Sequence, residues 1–551
     1  MFVQDLKTEF YDVLVNQRVL VLCGADVDAL VSCKILQYLF QCDNILYTLV
    51  PVTRKQDITE ALEKHGETGR YVVLLNCGGT FDILEDCKPE NENLVFFIAD
   101  AHRPFNVYNV YNNSQVRILS PTENENIPGF EDVFRDDMDS DAEEEEEEGR
   151  DLDEILERKR QKRAWIENRN RLLFDYTQFN YFGKATSLTM FELCWKMSRD
   201  STVILWYAII GLSDQLVHRR IESDKYVTEC GLLQGHMTRH DQLYDQNSSE
   251  SNVNSLKLSF DKELNLIFLK HWTLLESMRH TQHFACRFKM WTVRGQKKIY
   301  EFLAELGVPL SQCKQIFASM DITFRSSIKE WIFKLADKYS LDEIGAFCFS
   351  ANLGYKHKFN ALDVATAVNT ILDQGDFFKA LDALSWSRIE ILEKGIEASK
   401  TKLISIFQQV QTFLETRQIA STGRYLYAVL QESTPNSKLF GKPGALEDLA
   451  HFLQAAYVAR KSRDSPLFPM VVAAPSVTFP GYSLVIGIPP QAETSSRNLF
   501  AQVFNQAAVH CSSAIQKDAY LQENLILVQS EHSRQFFEAI YDLLCSVDGR
   551  D

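Results

Sequence analysis

The amino-acid sequence predicts an α/β protein, with a parallel-sheet domain at the N-terminus, a helical middle region and a smaller α/β lobe at the C-terminus. Three observations carry this. In the first 120 residues, short apolar runs bounded by turn residues alternate with helix-length segments, as in buried strands joined by crossover helices. Helical patterning then dominates from Thr186 to about Ser433, and strand-like runs return near Ser465. At 551 residues the chain is also too long for one compact core.

Arg18-Val19-Leu20-Val21-Leu22-Cys23 runs into Gly24 and reads as the first strand. Asp28–Phe40 follows as a helix with Leu30, Ile35, Leu36 and Leu39 on its apolar stripe. Further strands are expected at Ile45–Val52, Tyr71–Cys77, Leu94–Ala99 and Gln115–Leu119. Right-handed crossovers between them make the sheet parallel.

From Glu131 the composition changes. Ten of the thirteen residues from Asp136 to Glu148 are acidic, so the segment repels itself and is expected to be a disordered loop. Ser140, in Ser140-Asp141-Ala142-Glu143, suits an acid-directed kinase. The helix-prone stretch Asp151–Arg171 comes next and carries Arg158, Lys159, Arg160, Lys162 and Arg163. Two readings of that cluster stay open, a solvated helix face and a nuclear import signal.

Helices are expected at Ser187–Met197, Val203–Val217, Phe284–Leu306 and Asp376–Phe413, with polar Asn247–Ser255 as a loop. In Phe284–Leu306 the side chains Phe284, Phe288 and Trp291 form an apolar stripe, while Arg287, Arg294 and Lys298 recur at near-helical spacing. That basic row is either a solvated face or a ridge for an acidic partner or a DNA strand. The last lobe is expected to hold strands at Met470–Ala474, Leu484–Ile488 and Leu525–Val528, with helices at Ser495–His510 and Glu531–Ser546. Domain boundaries follow at 1–226, 227–375 and 376–551, with 131–165 as the acidic loop running into the basic helix.

Bulk properties exclude several classes. A net charge of -17 opposes wholesale wrapping of DNA, which needs a dense basic surface, and favours protein partners. The twelve cysteines include no CxxC pair, which argues against a zinc site or disulfide framework and for a reduced, intracellular setting. The N-terminus lacks the order of a signal peptide. The longest apolar run, Val203–Leu212, falls short of the roughly 20 residues of a membrane helix, so a soluble protein is expected. No GxxxxGK[ST] nucleotide-binding loop occurs.

Polar residues gather where the predicted strands end, which is where open parallel sheets bind ligands. Asp26 and Asp28 follow the first strand; Asn76 with Cys77-Gly78-Gly79 closes the third; Asp100-Ala101-His102 closes the fourth. Asp214 ends the apolar helix in Ile210-Gly211-Leu212-Ser213-Asp214. Taken singly, such aspartates cap helices. Converging from several strands, they are the set a divalent-metal hydrolase needs to hold its cations.

The order Asp-x-Asp, Asn-x-Gly, Asp-x-His, Asp resembles the DHH phosphoesterase superfamily, which includes the RecJ single-strand exonucleases. Asp26, Asp28, Asp100, His102 and Asp214 match that pattern; Asn76 and Ala101 depart from it. The resemblance implies that the residue at position 76 would be an aspartate bridging two manganese ions, and that the residue at 101 would be a histidine ligand. A neutral amide and a methyl group cannot replace them, so no bound metal, no cofactor and no hydrolysis are expected. The C-terminal region resembles a degraded DHHA1 lobe. Gly487-Ile488-Pro489-Pro490 leads there to Ser495-Ser496-Arg497-Asn498-Leu499-Phe500 without a glycine- and histidine-rich substrate loop.

More specifically, the chain is similar nearly end to end to the eukaryotic cell division control protein 45 family. The segments that carry this are Tyr47-Thr48-Leu49-Val50-Pro51-Val52, His102-Arg103-Pro104, Asn106 to Asn112, and Phe130-Glu131-Asp132-Val133-Phe134-Arg135-Asp136. The acidic insertion, Arg287-Phe288-Lys289-Met290-Trp291, Gly354 to Phe359 and Ile486 to Pro490 add to them. The resemblance implies a nuclear, non-catalytic subunit of the replicative DNA helicase that bridges the MCM ring and the GINS complex in initiation and elongation. It further implies contact with the replicative polymerase machinery, weak or transient single-stranded DNA binding and no membrane association. The alternative is an active metal-dependent phosphoesterase on single-stranded DNA.

Overall fold

The computed structural model describes residues 1–67, 69–120, 126–135, 152–247, 256–341, 344–354, 357–461, 467–490, 497–511, 515–516 and 519–547. The acidic segment with Ser140, most of the loop expected at Asn247–Ser255, Ser495 and the side chain of Arg158 lie outside the described residues.

β1 (Arg18–Gly24) is the second strand of a five-stranded parallel sheet. The sheet order is β2 (Leu46–Val52), β1, β3 (Tyr71–Leu75), β4 (Val95–Ala99) and β5 (Val116–Ile118). Val21 pairs with both Leu49 and Val73 in parallel register. The inner strands are apolar throughout because both faces are covered. One face packs on α1 (Val27–Cys42), on α3 (Thr186–Lys196), which follows the basic helix α2 (Leu152–Thr177), and on α4 (Thr202–Val217). The other packs on the helix Lys55–His65 and the turn at Phe81–Ile83. The apolar run of α4 is buried in this core rather than lipid-facing, and among the described residues no helix is long and apolar enough to cross a membrane.

The middle region is less helical than the sequence suggested. After α5 (Ser223–Asn247), β6 (Leu256–Leu264), β7 (Gly345–Leu353) and β8 (His357–Asn360) form an antiparallel sheet in the order β8-β7-β6. Phe284–Leu306 is two helices, α6 (Gln282–Phe288) and α7 (Val293–Glu305). Lys289 adopts a left-handed conformation at φ 53° and ends α6, while Thr292 Oγ1 accepts the Gly295 amide at 3.0 Å and starts α7. The spacing of Arg287, Arg294 and Lys298 is therefore not that of one helix. Arg287 Nε donates to the Tyr339 carbonyl at 2.7 Å; Arg287 is exposed, as are Arg294 and Lys298 on α7.

Asp376–Phe413 is likewise divided. A short helix, Phe377–Ala383, is separated from the long helix by extended backbone at Ser385. The long helices of this part are α8 (Ile322–Tyr339), α9 (Ala361–Asp373) and α10 (Ile389–Thr416). The C-terminal lobe adds α11 (Pro443–Arg460) and a six-stranded sheet with β9 (Ala420–Ser421), β10 (Leu426–Val429), β11 (Met470–Pro475), β12 (Tyr482–Ile488), β13 (Ile515–Gln516) and β14 (Leu525–Gln529). Its order is β9-β10-β11-β12-β14-β13, antiparallel except where β10 meets β11. The helices Phe500–His510 and Ser533–Val547 cover one face. The mixed α/β architecture with its N-terminal parallel sheet thus follows the expectation.

The lobes are tied together directly. Asn180 and Asn498 exchange backbone hydrogen bonds at 2.8 and 2.7 Å, and the Leu521 amide donates to the Thr53 carbonyl at 3.2 Å. Lys402 of α10 is buried between Asp373 of α9 at 2.7 Å and Asp448 of α11 at 2.8 Å. Between the lobes lies a cavity of about 910 Å³, with His102, Arg220, His283, Glu447 and His451 among its walls.

Candidate functional site

The predicted polar residues do meet at the carboxyl ends of the strands. Asp26 stands between β1 and α1, and its Oδ1 caps the helix by accepting the Ala29 amide at 2.8 Å. Asp28, two residues on in the first turn of α1, is buried. Its Oδ1 accepts the Ser187 amide at 3.0 Å and its Oδ2 the Thr186 amide at 2.8 Å, so the N-terminus of α3 is bound to this carboxylate. Gly211 of α4 makes the close approach possible, since a Cβ there would collide with Asp28 and Ser187.

Asn76 sits at the centre. It leaves β3 in the left-handed region at φ 50°, which asparagine tolerates better than most residues. Its Oδ1 accepts the Ala101 amide at 3.1 Å and the Thr186 hydroxyl at 2.5 Å. That fixes the orientation of the amide, and its Nδ2 donates to Asp26 Oδ1 at 3.0 Å and Asp28 Oδ2 at 3.1 Å. Asp100 ends β4, accepting the Gly79 amide at 2.9 Å on Oδ2 and His102 Nδ1 at 2.7 Å on Oδ1. Ala101, next to it, is buried.

Asp214 lies on α4, 1% exposed, with His218 Nδ1 3.0 Å and Arg220 Nη1 3.5 Å away. His218 Nε2 lies 2.9 Å from the side-chain amide of Asn369 on α9. Arg220, His218, Thr186 and Ser187 were not picked out from the sequence. The two backbone donors are invisible to a search for side-chain ligands. Arg220 reaches the pocket only because Arg219 turns left-handed at φ 56° after the end of α4.

The electrostatics follow from burial and pairing. Burial, followed by the neighbouring charge of Asp28, pushes the Asp26 carboxyl up to about 6, and burial raises Asp28 as well. Burial opposes ionisation of Asp100, but the His102 imidazolium together with the His102 and Gly79 backbone amides more than offsets it and holds the carboxyl below its ordinary value. Burial also opposes protonation of His218, yet Asp214 carries its imidazole up to about 9.

The donor set does not fit a pair of divalent ions. A metal bridged between Asp26 and Asp28 needs an anionic or lone-pair donor at position 76, where an amide NH₂ instead points at both carboxylates. Position 101 offers no lone pair. Both Asp28 oxygens are engaged by backbone amides, and Oδ2 also by Asn76, so this carboxylate is held by hydrogen bonds rather than left open for coordination.

Two other predicted sets are not brought to this pocket. Arg294 and Lys298 lie on α7 of the middle region. Lys159, Arg160, Lys162 and Arg163 lie along α2, where all but Lys162 are exposed.

Comparison with known proteins bears on the whole chain. The CDC45 family model matches residues 19–157, 131–376 and 374–542. The cell division control protein 45 homolog of Mus musculus is 40% identical over 99% of this chain and 100% of its own length; that of Homo sapiens is 39% identical over the same shares. The crystal structure of CDC45 from Entamoeba histolytica superposes with a TM-score of 0.70 at 20% identity, covering 99% of this chain and 100% of that one, and so shares the fold. With a family model spanning nearly all of it and relatives this similar over their full length, the chain belongs to the CDC45 family.

Proposed function

We propose that this DNA replication factor of the CDC45 family acts without catalysis, as a nuclear scaffold subunit of the replicative helicase that bridges the MCM ring and the GINS complex. The observation that carries the non-catalytic part is Asn76, whose Nδ2 donates to Asp26 and Asp28 at 3.0 and 3.1 Å. An N–H donor held against both carboxylates occupies the place where a two-metal hydrolase needs a shared anion, and without that charge water is not activated. The assignment of partners rests on family membership and on the net charge of -17, which favours protein surfaces over bulk nucleic-acid binding. Arg287 on α6 with Arg294 and Lys298 on α7 as a DNA or partner contact, the basic face of α2 as an import signal and Ser140 as a phosphosite belong to the same proposal. So do contact with the polymerase machinery and weak single-strand binding in the cavity between the lobes.

The test is an exonuclease assay on single-stranded DNA with added manganese, using Asp28→Ala to reveal contamination. Wild type and variant should release nucleotides at the same background rate, and the wild-type chain should co-purify with MCM and GINS. Release that disappears in Asp28→Ala would establish the second reading, an active phosphoesterase. One observation favours that reading: Asp26, Asp28, Asp100, His102 and Asp214 all survive at the ends of the strands and of α4.

A further inference from the structure

Arg220 is a strong cation that the fold delivers to this pocket without any sequence motif announcing it. Its backbone amide donates to the Gln215 carbonyl at 2.7 Å, which wraps the chain back over the end of α4. Its guanidinium then points inward, with the side chain only 11% exposed. Phe182 supports it from one side, the guanidinium carbon 4.8 Å from the ring centroid. Asp214 Oδ2 lies 3.5 Å from Nη1. Three further carboxylates act on it electrostatically: Asp26 and Asp28 of the first domain, and Glu447 of α11 in the last lobe. Glu447 is itself only 9% exposed. A buried guanidinium surrounded by carboxylates from two lobes is a fixed, delocalised charge that cannot deprotonate or diffuse away.

We propose that Arg220, beside the His218 imidazolium, is the permanent cation of the pocket: it offsets the carboxylates gathered there and, through Glu447, draws α11 of the last lobe against the strand ends of the first. This rests on the reading that the pocket holds no metal pair, and it adds the residue that makes such a pocket stable. Without Arg220 the four carboxylates would have only the His102 and His218 imidazolium groups beside them as counter-charge, and would repel one another while losing their hydration. Arg220 therefore acts as a positioning residue, coupling the pocket to the junction of the lobes.

The experiment is a double-mutant cycle on the full chain, read by thermal unfolding at neutral pH. Arg220→Gln keeps the length and loses the charge, and should lower Tm by roughly 5 °C or more. Arg220→Lys should lose less than that. Removing one of the stranded anions as well, in R220Q/D214N or R220Q/E447Q, should regain at least half of the lost Tm. If R220Q does not fold, the two double variants decide: recovery of a cooperative transition in either supports the assignment, and its absence in both overturns it. An unchanged Tm in R220Q, or double variants that only add their separate losses, also overturns it. The non-catalytic reading is judged separately by Asp28-dependent nucleotide release, so either idea can fail while the other stands.

Discussion

Asn76 shows how much one atom decides. Exchanging its Nδ2 for an oxygen would turn two favourable contacts, at 3.0 and 3.1 Å, into contacts between like charges. Asn76→Asp alone is therefore expected to destabilise the fold by about 2 kcal/mol. Asn76→Asp with Ala101→His would restore the shared anion and the missing nitrogen, and should bind Mn²⁺ at least tenfold more tightly than wild type. Titration calorimetry measures this; a double variant with no gain would contradict the idea that these two substitutions disarm a metal site. Most of the pocket was legible because Asp26, Asp28, Asn76 and Asp100 each follow directly on an apolar strand, so their position in sequence fixes their position in space. Arg220 was not legible. Its approach depends on a left-handed turn at Arg219 and on a helix from the far end of the chain, and neither leaves a local signal.

At the scale of elements, the long parallel-sheet strands and the buried helix α4 were readable, since each carries an unbroken apolar run. The breaks inside Phe284–Leu306 and Asp376–Phe413 were not, because no glycine or proline marks the end of the first helix in either segment. The left-handed Lys289 and the extended Ser385 do that work. β6 was missed although Leu256, Leu258 and Phe260 alternate with polar residues, a period of two that the surrounding helical pattern masked. Element junctions also hold the group with the clearest expected pH response. Asp363, in the first turn of α9, is 4% exposed and accepts the amide of left-handed Phe268 at 2.8 Å. Burial pushes its carboxyl from 3.8 up to about 7. A carboxyl raised on folding contributes stability that is fully present below 3.8 and is lost as pH rises through about 7. Asp363→Asn keeps the acceptor oxygen and removes the charge. The variant is expected to be more stable than wild type at pH 8, by at most about 4 kcal/mol, with the gap closing towards pH 4. Urea midpoints at the two pH values measure this, and an equal difference at both would contradict the buried-carboxyl account.

Over the whole molecule, the two α/β units do not have separate supports. α10 contributes Leu392 and Ile396 to the core under the parallel sheet, then Ile406, Phe407, Val410, Phe413 and Leu414 to the core of the last lobe. Between those groups Ser399 bonds Thr370 of α9 at 2.8 Å, and Lys402 joins α9 to α11. A helix spanning both cores cannot unravel at one end without stripping apolar contacts from the other, and at roughly 25 cal/mol per Å² such contacts dominate stability. The pairing of Asn180 with Asn498 and of Leu521 with Thr53 ties the lobes again, and Asn180, Asn498 and Leu521 line the cavity. The boundaries suggested by composition do not reveal this sharing, because α10 reads simply as one amphipathic helix whichever core receives each of its turns. The physical consequence is cooperative unfolding of both lobes. Differential scanning calorimetry should give a single transition, and Lys400→Pro, which breaks α10 between the two groups, should lower it as a whole rather than split off the last lobe. Two resolved transitions in the wild-type chain would mean that the lobes are stable independently, and that the shared helix does not couple them.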